Sequence, residues 1–203
     1  MIDPAPPQSA LIRALEHRHS RALSVDTTDL ALLRRTLPHL PEHPDPRAIA
    51  LVAGYCGASR QSQDAALLAA CLWATHHHVT APRQSGWNLG RALRTAPGTQ
   101  GERMWGRLCT ASETTLPRVL AEALALLDLH GAATDWHRLH RDLRSWYQGS
   151  SDAVLRRWCT GLFGPLRDSS PLSPLSSPPP LSSPSSPLSG PADLPSLRPR
   201  EVS

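Results

Sequence analysis

Apolar residues between positions 9 and 164 recur at three- and four-residue spacing and rarely alternate, which predicts helices with one buried face each. Ser9 opens a first helix through Leu15 to about Ala22, and Thr28 opens a second, from Leu30 to Leu37, stopped by Pro38. Pro46 starts a third through Ile49, Val52 and Tyr55, closed by Gly57. A fourth, from about Ser62 to His76, carries Leu67, Cys71 and Ala74 on one stripe. Thr99-Gln-Gly-Glu102 reads as a capping box ahead of a helix through Met104, Leu108 and Cys109. Pro117 suits the first turn of the next helix, which runs to a stop at Gly131. Thr134-Asp135 caps a helix carrying Trp136, Leu139, Leu143 and Trp146. Ser151-Asp152 caps a last one carrying Val154, Leu155, Trp158 and Leu162, ended by Gly164-Pro165. Ala, Leu and Arg dominate these segments and β-branched runs are scarce. The expected fold is all-α, an antiparallel bundle of about seven to nine helices joined by short loops.

Composition then divides the chain. From Pro165 onward it is almost entirely Pro, Ser and Leu, with Pro178-Pro-Pro180 at its centre. Such a stretch offers too little apolar surface to offset its ordering entropy, and each proline lacks a backbone donor. Residues 165–203 are therefore expected to form a disordered Pro/Ser-rich tail, residues 1–8 a flexible N-terminus, and residues 9–164 a helical nucleic-acid-binding domain. The tail's PxxP spacing suits an aromatic groove, but a solubilising tail is the simpler reading. Cys56, Cys71, Cys109 and Cys159 are widely spaced without CxxC and read as reduced core cysteines of a cytoplasmic protein. The N-terminus has no basic region followed by an apolar stretch, so no signal peptide is expected, and no run approaches a membrane span.

Charge sharpens the picture. All 21 basic side chains are arginine, which by itself fits a codon bias as well as a function. Their placement is more informative. Residues 1–80 balance seven arginines against seven acids, whereas residues 81–170 set twelve against eight and so hold the whole net charge of +4. Arg138, Arg141 and Arg144 fall opposite the Trp136–Leu139–Leu143–Trp146 stripe, and Arg156 and Arg157 fall opposite Val154–Leu155–Trp158–Leu162. A planar guanidinium fork matches phosphate oxygens, so an arginine face with an apolar back points to a polyanion, most often nucleic acid.

Signatures of catalysis are missing. His76-His-His78 are consecutive on a helix and point in three directions, so they cannot converge on one ion and read as a solvated helix end. His137 and His140, one turn apart, lack a Cys or carboxylate ligand pattern. Asp135 reads as a cap and Asp142 as a surface charge, not as an acid/base pair. No P-loop, Rossmann glycine pattern or nucleophile elbow is present. Neither an enzymatic activity, a metal nor a cofactor is expected.

Four features occur in order: Leu30-Ala-Leu-Leu-Arg-Arg35; Trp87-Asn-Leu-Gly-Arg-Ala-Leu93; Glu102-Arg103; and Asp135-Trp136 through Trp146, followed by Arg156-Arg157-Trp158. This series resembles the CasB family, the small subunit of the type I-E CRISPR surveillance complex Cascade. The resemblance implies a non-enzymatic, all-helical subunit, usually present as two copies, beside the CRISPR RNA–target DNA heteroduplex. It also implies as partners the other Cascade protein subunits, CRISPR RNA, target DNA and the displaced non-target strand, without a membrane. By position it implies nucleic-acid contacts at Arg34, Arg35, Arg60, Arg91, Arg103, Arg156 and Arg157, to which charge and placement add Arg94 and Arg107. Arg91 stands out, because it heads a short helix beside Gly86 and Gly90, where backbone could approach phosphate closely. For Arg34 and Arg35 an ion pair with an acid such as Asp29 is the competing reading. The turn Gln148-Gly-Ser-Ser151, basic in some relatives, is neutral here. Two rivals stay open: a helix-turn-helix-like transcriptional regulator reading one operator, and a scaffold whose basic face meets an acidic protein.

Overall fold

A computed structural model of the protein describes residues 9–22, 28–80 and 87–164. The segments 1–8 and 165–203, expected to be a flexible N-terminus and a disordered tail, lie outside the described residues, as does Gly86. The architecture is all-α. In chain order the helices are α1 (Ala10–Ala22), α2 (Thr28–Thr36), α3 (Pro46–Ala53), α4 (Arg60–His76), α5 (Leu89–Leu93), α6 (Gln100–Cys109), α7 (Leu116–Leu129), α8 (Trp136–Ser145) and α9 (Ser151–Phe163). A 3₁₀ turn (Leu37–His39) follows α2, and a π turn (Trp146–Ser150) joins α8 to α9. Among the described residues no strand occurs, only one isolated bridge between Thr80 and Thr134.

The centre is α4. Every residue from Ala65 to Ala74 is buried, so this helix is apolar all round, as a central bundle helix must be. Its five alanines in that run leave room for α1, α2, α3, α7 and α8, all of which pack on it. Leu11, Ile12 and Leu15 face it from α1, Leu30 and Leu33 from α2, and Trp136, Leu139 and Leu143 from α8. The tryptophan stripe continues through Trp146, whose ring stacks on Trp158 of α9 at 6.0 Å.

Several ends form as their residues dictate. The Ser9 hydroxyl accepts from the Ile12 amide at 3.3 Å, Asp45 from Arg47 at 2.8 Å, Ser59 from Ser62 at 3.2 Å and Asp135 from Arg138 at 3.1 Å. Pro117 lies in the first turn of α7, and Gly131 takes the left-handed φ of +60° after it. Other ends differ from expectation. Thr99 sits at φ −93°, ψ 10° because Gly98 turns the chain immediately before it, and its hydroxyl caps nothing. A capping box needs an extended N-cap, so none forms. α9 does start at Ser151, where it was expected, but Ser150 precedes it without a side-chain cap bond, and Gly149 at φ +83° breaks the helical path between α8 and α9. α3 ends at Ala53 ahead of Gly54, three residues short of Gly57, and Tyr55 lies beyond it, exposed.

Side-chain environments also change two readings. Only Cys71 is a core cysteine, its thiol pushed up to about 12 by burial; Cys56 and Cys159 are half-buried and Cys109 is exposed. The histidine run is a solvated helix end only at the exposed His78. His76 is buried, His77 packs against Trp73 and against His19 of α1 at 4.3 Å, and His78 Nε2 meets Asp128 Oδ1 at 2.7 Å. The C-terminal end of α4 is covered by α1 and α7, and that burial pulls the His76 and His77 imidazoles down.

Candidate nucleic-acid interface

The segment Trp87–Leu93 forms a joint with α9 built from backbone contacts. Asn88 caps α5, its Oδ1 accepting from the Arg91 amide at 2.8 Å while its Nδ2 donates to the Arg157 carbonyl at 2.8 Å. Gly90 faces the Trp158 backbone so closely that a Cβ there would stand 1.7 Å from the carbonyl oxygen. Gly161 answers from α9, where a Cβ would lie 2.1 Å from Asn88 Oδ1. Gly90 is therefore a packing glycine, buried against protein, and not a place where backbone approaches phosphate. α6 packs on both α5 and α9, completing a three-helix platform.

Six of the nine anticipated arginines ride on this platform, in two states. Arg91 is half-buried with its guanidinium 5.3 Å from the Trp87 ring centroid. Arg94 is exposed and donates to the Gly164 carbonyl, and neither charge is cancelled by that contact. Arg103 and Arg156 are exposed, and among the described residues neither meets a carboxylate. Arg107 instead pairs with Glu122 of α7, which Arg118 also approaches at 3.7 Å. The Arg107 hydrogen bond holds the Glu122 carboxyl below its usual range.

Arg157 belongs to an anchor that sequence did not reveal. Its Nε and Nη2 donate to Asp142 Oδ1 at 3.2 and 2.8 Å, and Trp158 Nε1 donates to Asp142 Oδ2 at 2.7 Å. The Asp142 side chain is 4% exposed against 40% for Arg157. Asp142 is thus a buried anchor and not a surface charge. Its position on α8 beside Leu143, among surface arginines, gave no hint, because the partner lies across the π turn.

The remaining arginines lie elsewhere. Arg34 Nε donates to the Ala74 carbonyl at 2.7 Å, and Arg60, 90% exposed, begins α4 with Asp64 at 3.7 Å. Asp29 pairs with Arg18 at 3.1 Å, not with Arg34 or Arg35. Arg35 is exposed and lines a polar cleft between α2 and α3. Arg141 and Arg144 are exposed on α8, opposite its buried tryptophan face, and Arg138 is half-buried.

His137 and His140 are buried between α8 and α1: Ser9 Oγ lies 2.8 Å from His140 Nδ1, and the Ser9 amide donates to His137 Nδ1 at 3.1 Å. Among the described residues no group of three His, Cys, Asp or Glu side chains is placed to hold a metal ion, and no helix is long and apolar enough to cross a membrane.

Comparison with known proteins agrees with this geometry. The family model for CRISPR-associated protein Cse2 matches residues 29–161. The crystal structure of CasB from Thermus thermophilus superimposes with a TM-score of 0.62 at 25% identity, covering 77% of this chain and 99% of that one. A second Thermus thermophilus structure, of a CRISPR-associated protein of the Cse2 family, gives 0.61 at 27% identity, with coverage of 77% and 99%. CasB of M. ruber shares the fold, with a TM-score of 0.58 at 23% identity over 76% of this chain and 90% of that one. No curated protein sequence matches the chain. With the family pattern spanning α2 to α9, the chain belongs to the Cse2 (CasB) family of CRISPR-associated proteins, the family of the Cascade small subunit.

Proposed function

We propose that the protein is the non-catalytic small subunit of a type I-E Cascade in the cytoplasm. It contacts nucleic-acid backbone along the CRISPR RNA–target DNA heteroduplex and stabilises the displaced strand of the R-loop. Its partners are the other Cascade subunits, the CRISPR RNA, both target strands and a second copy of itself. The observation that carries this reading is the α5–α6–α9 platform, on which Arg91, Arg94, Arg103 and Arg156 keep uncancelled charge while the backbone beneath them is locked. Base pairing supplies sequence recognition in such a system, and R-loop formation is a nearly balanced exchange of duplexes. A few phosphate contacts of about 1 kcal/mol each are enough to shift that balance.

The test is Arg103→Ala/Arg156→Ala in reconstituted Cascade, both side chains being free of carboxylates among the described residues. R-loop yield should fall, and the salt slope of nucleic-acid binding by the isolated protein should decrease by about 2, one per lost phosphate contact. Unchanged R-loop loading together with an unchanged slope would overturn the assignment. Binding confined to one operator sequence would also overturn it.

A further inference from the structure

A second basic feature lies away from the platform, in the half of the chain whose net charge is zero. Between α2 and α3 lies an open cleft of about 380 Å³, lined by Leu32 together with Arg35, Thr36, His39, His43, Asp45 and Arg47. Its volume falls within the range of small-ligand sites, roughly 300–1,000 Å³. Two arginines and two histidines line it, with one carboxylate residue, Asp45. That carboxylate already caps α3, accepting from the Arg47 amide at 2.8 Å. Glu42, between the two histidines in sequence, does not line the cleft.

The walls are stiff. Pro38, Pro41, Pro44 and Pro46 fix φ along the connecting segment, and the His43 amide bonds to the His39 carbonyl at 2.9 Å, so the two imidazoles are carried on one turn. Thr36 donates its hydroxyl to the Leu32 carbonyl at 2.9 Å. Arg35 and Arg47 bring two permanent positive charges to one concavity, and the histidine rings add nitrogen donors beside them, a set that suits an anion. The lining has no Phe, Tyr or Trp on which a base could stack. Recognition therefore rests on a phosphate group and not on a nucleobase. A terminal monoester presents three unesterified oxygens to the two guanidinium forks and the histidine donors, where a backbone diester presents two.

We propose that the α2–α3 cleft is a phosphate-monoester site, taking the terminal phosphate of a nucleic-acid strand or that of a free nucleotide. For Arg35 this deepens the nucleic-acid reading above, but the site does not depend on the α5–α6–α9 platform. The test measures binding of the full-length protein to matched short oligonucleotides with phosphate or hydroxyl ends, 5′ and 3′ in turn, with AMP as competitor. The phosphorylated end should bind about fivefold tighter or more at equal salt, as one well-made charge-assisted contact allows. Arg35→Ala/Arg47→Ala should abolish that preference, and His39→Gln/His43→Gln should weaken it. Competition by AMP identifies a nucleotide-sized ligand, and its absence with the preference intact identifies a strand end; either upholds the site. Equal affinity for both end types without AMP binding overturns it, as does a preference that survives Arg35→Ala/Arg47→Ala. Both arginines are exposed, and matching urea midpoints verify that the variants are folded. Failure here would leave the platform reading untouched, because Arg103→Ala/Arg156→Ala tests that separately with unphosphorylated duplex.

Discussion

Replacing Asp142 by alanine should be among the most damaging single changes on α8, although sequence alone presents it as an ordinary surface charge. The carboxylate receives three hydrogen bonds, two from Arg157 and one from Trp158 Nε1. Trp158 is fully buried, so without Asp142 its indole N–H has neither carboxylate nor water, a loss of about 1–3 kcal/mol. The ion pair adds less, about 1 kcal/mol, because the 40%-exposed Arg157 side chain is partly solvated in both states. Asp142→Ala should therefore destabilise by about 3 kcal/mol, lowering the melting temperature by roughly 6–12 °C for a domain of this size. Asp142→Asn retains an acceptor for Trp158 and should lose about half as much. Urea unfolding of both variants and of Arg157→Ala, with the double variant closing a cycle, separates the terms. A loss below about 1 kcal/mol in Asp142→Ala would refute the anchor, as would full additivity of Asp142→Ala with Arg157→Ala.

Three further outcomes are expected. Gly90→Ala places a methyl group 1.7 Å from the Trp158 carbonyl and should separate α5 from α9, costing about 2–3 kcal/mol in urea unfolding; wild-type stability would mean the two backbones are not in contact. Stability should fall in acid through His140, whose imidazole is pushed down to about 4 by burial, with Arg144 and His137 adding to the effect. The unfolded chain takes up that proton near 6.5 and the folded chain only near 4, so stability is complete above pH 6.5 and is lost by about 3 kcal/mol as pH falls to 4. His140→Gln should flatten that slope in urea midpoints measured across the window, and an unchanged slope would refute the assignment. Arg107→Ala should change nucleic-acid affinity far less than Arg103→Ala, because Glu122 already holds the Arg107 guanidinium; equal losses in a salt titration would contradict this.

Helix placement was legible because it depends on local signals. The Ser9 and Asp135 caps, Pro46, Pro117 and Gly131 each act within a few residues of themselves, and all do in the fold what their chemistry suggests. The Thr99 box failed for a reason equally local but hidden, the left-handed Gly98 that keeps Thr99 out of the extended region. What sequence could not supply was pairing across distance. Gly90 looked free until Trp158 closed on it, Asp142 looked solvated until α9 folded back over α8, and His76 and His77 looked exposed until neighbouring helices covered the end of α4. Each is settled by a neighbour many positions away, which no window of residues contains.

The same distinction bears on the arginines. Counting them locates an electropositive half, but a guanidinium that already holds a carboxylate brings little net attraction to a phosphate and must break a contact to reach it. Arg107 and Arg157 are held in this way, one by Glu122 and one by Asp142. Arg91 and Arg94 are oriented without neutralisation, by an indole face and a backbone carbonyl, and so remain fully charged. Charge that is held in place but not cancelled is what a backbone-binding surface requires, since long side chains that must be ordered on binding lose affinity to entropy. On the proposed reading, Arg91 and Arg94 would meet phosphate already oriented, whereas the exposed Arg103 and Arg156, which meet no carboxylate among the described residues, would be ordered only on binding. Arg157, matched to the family pattern by position, is paired with the buried Asp142 and would have to share its guanidinium to reach a phosphate.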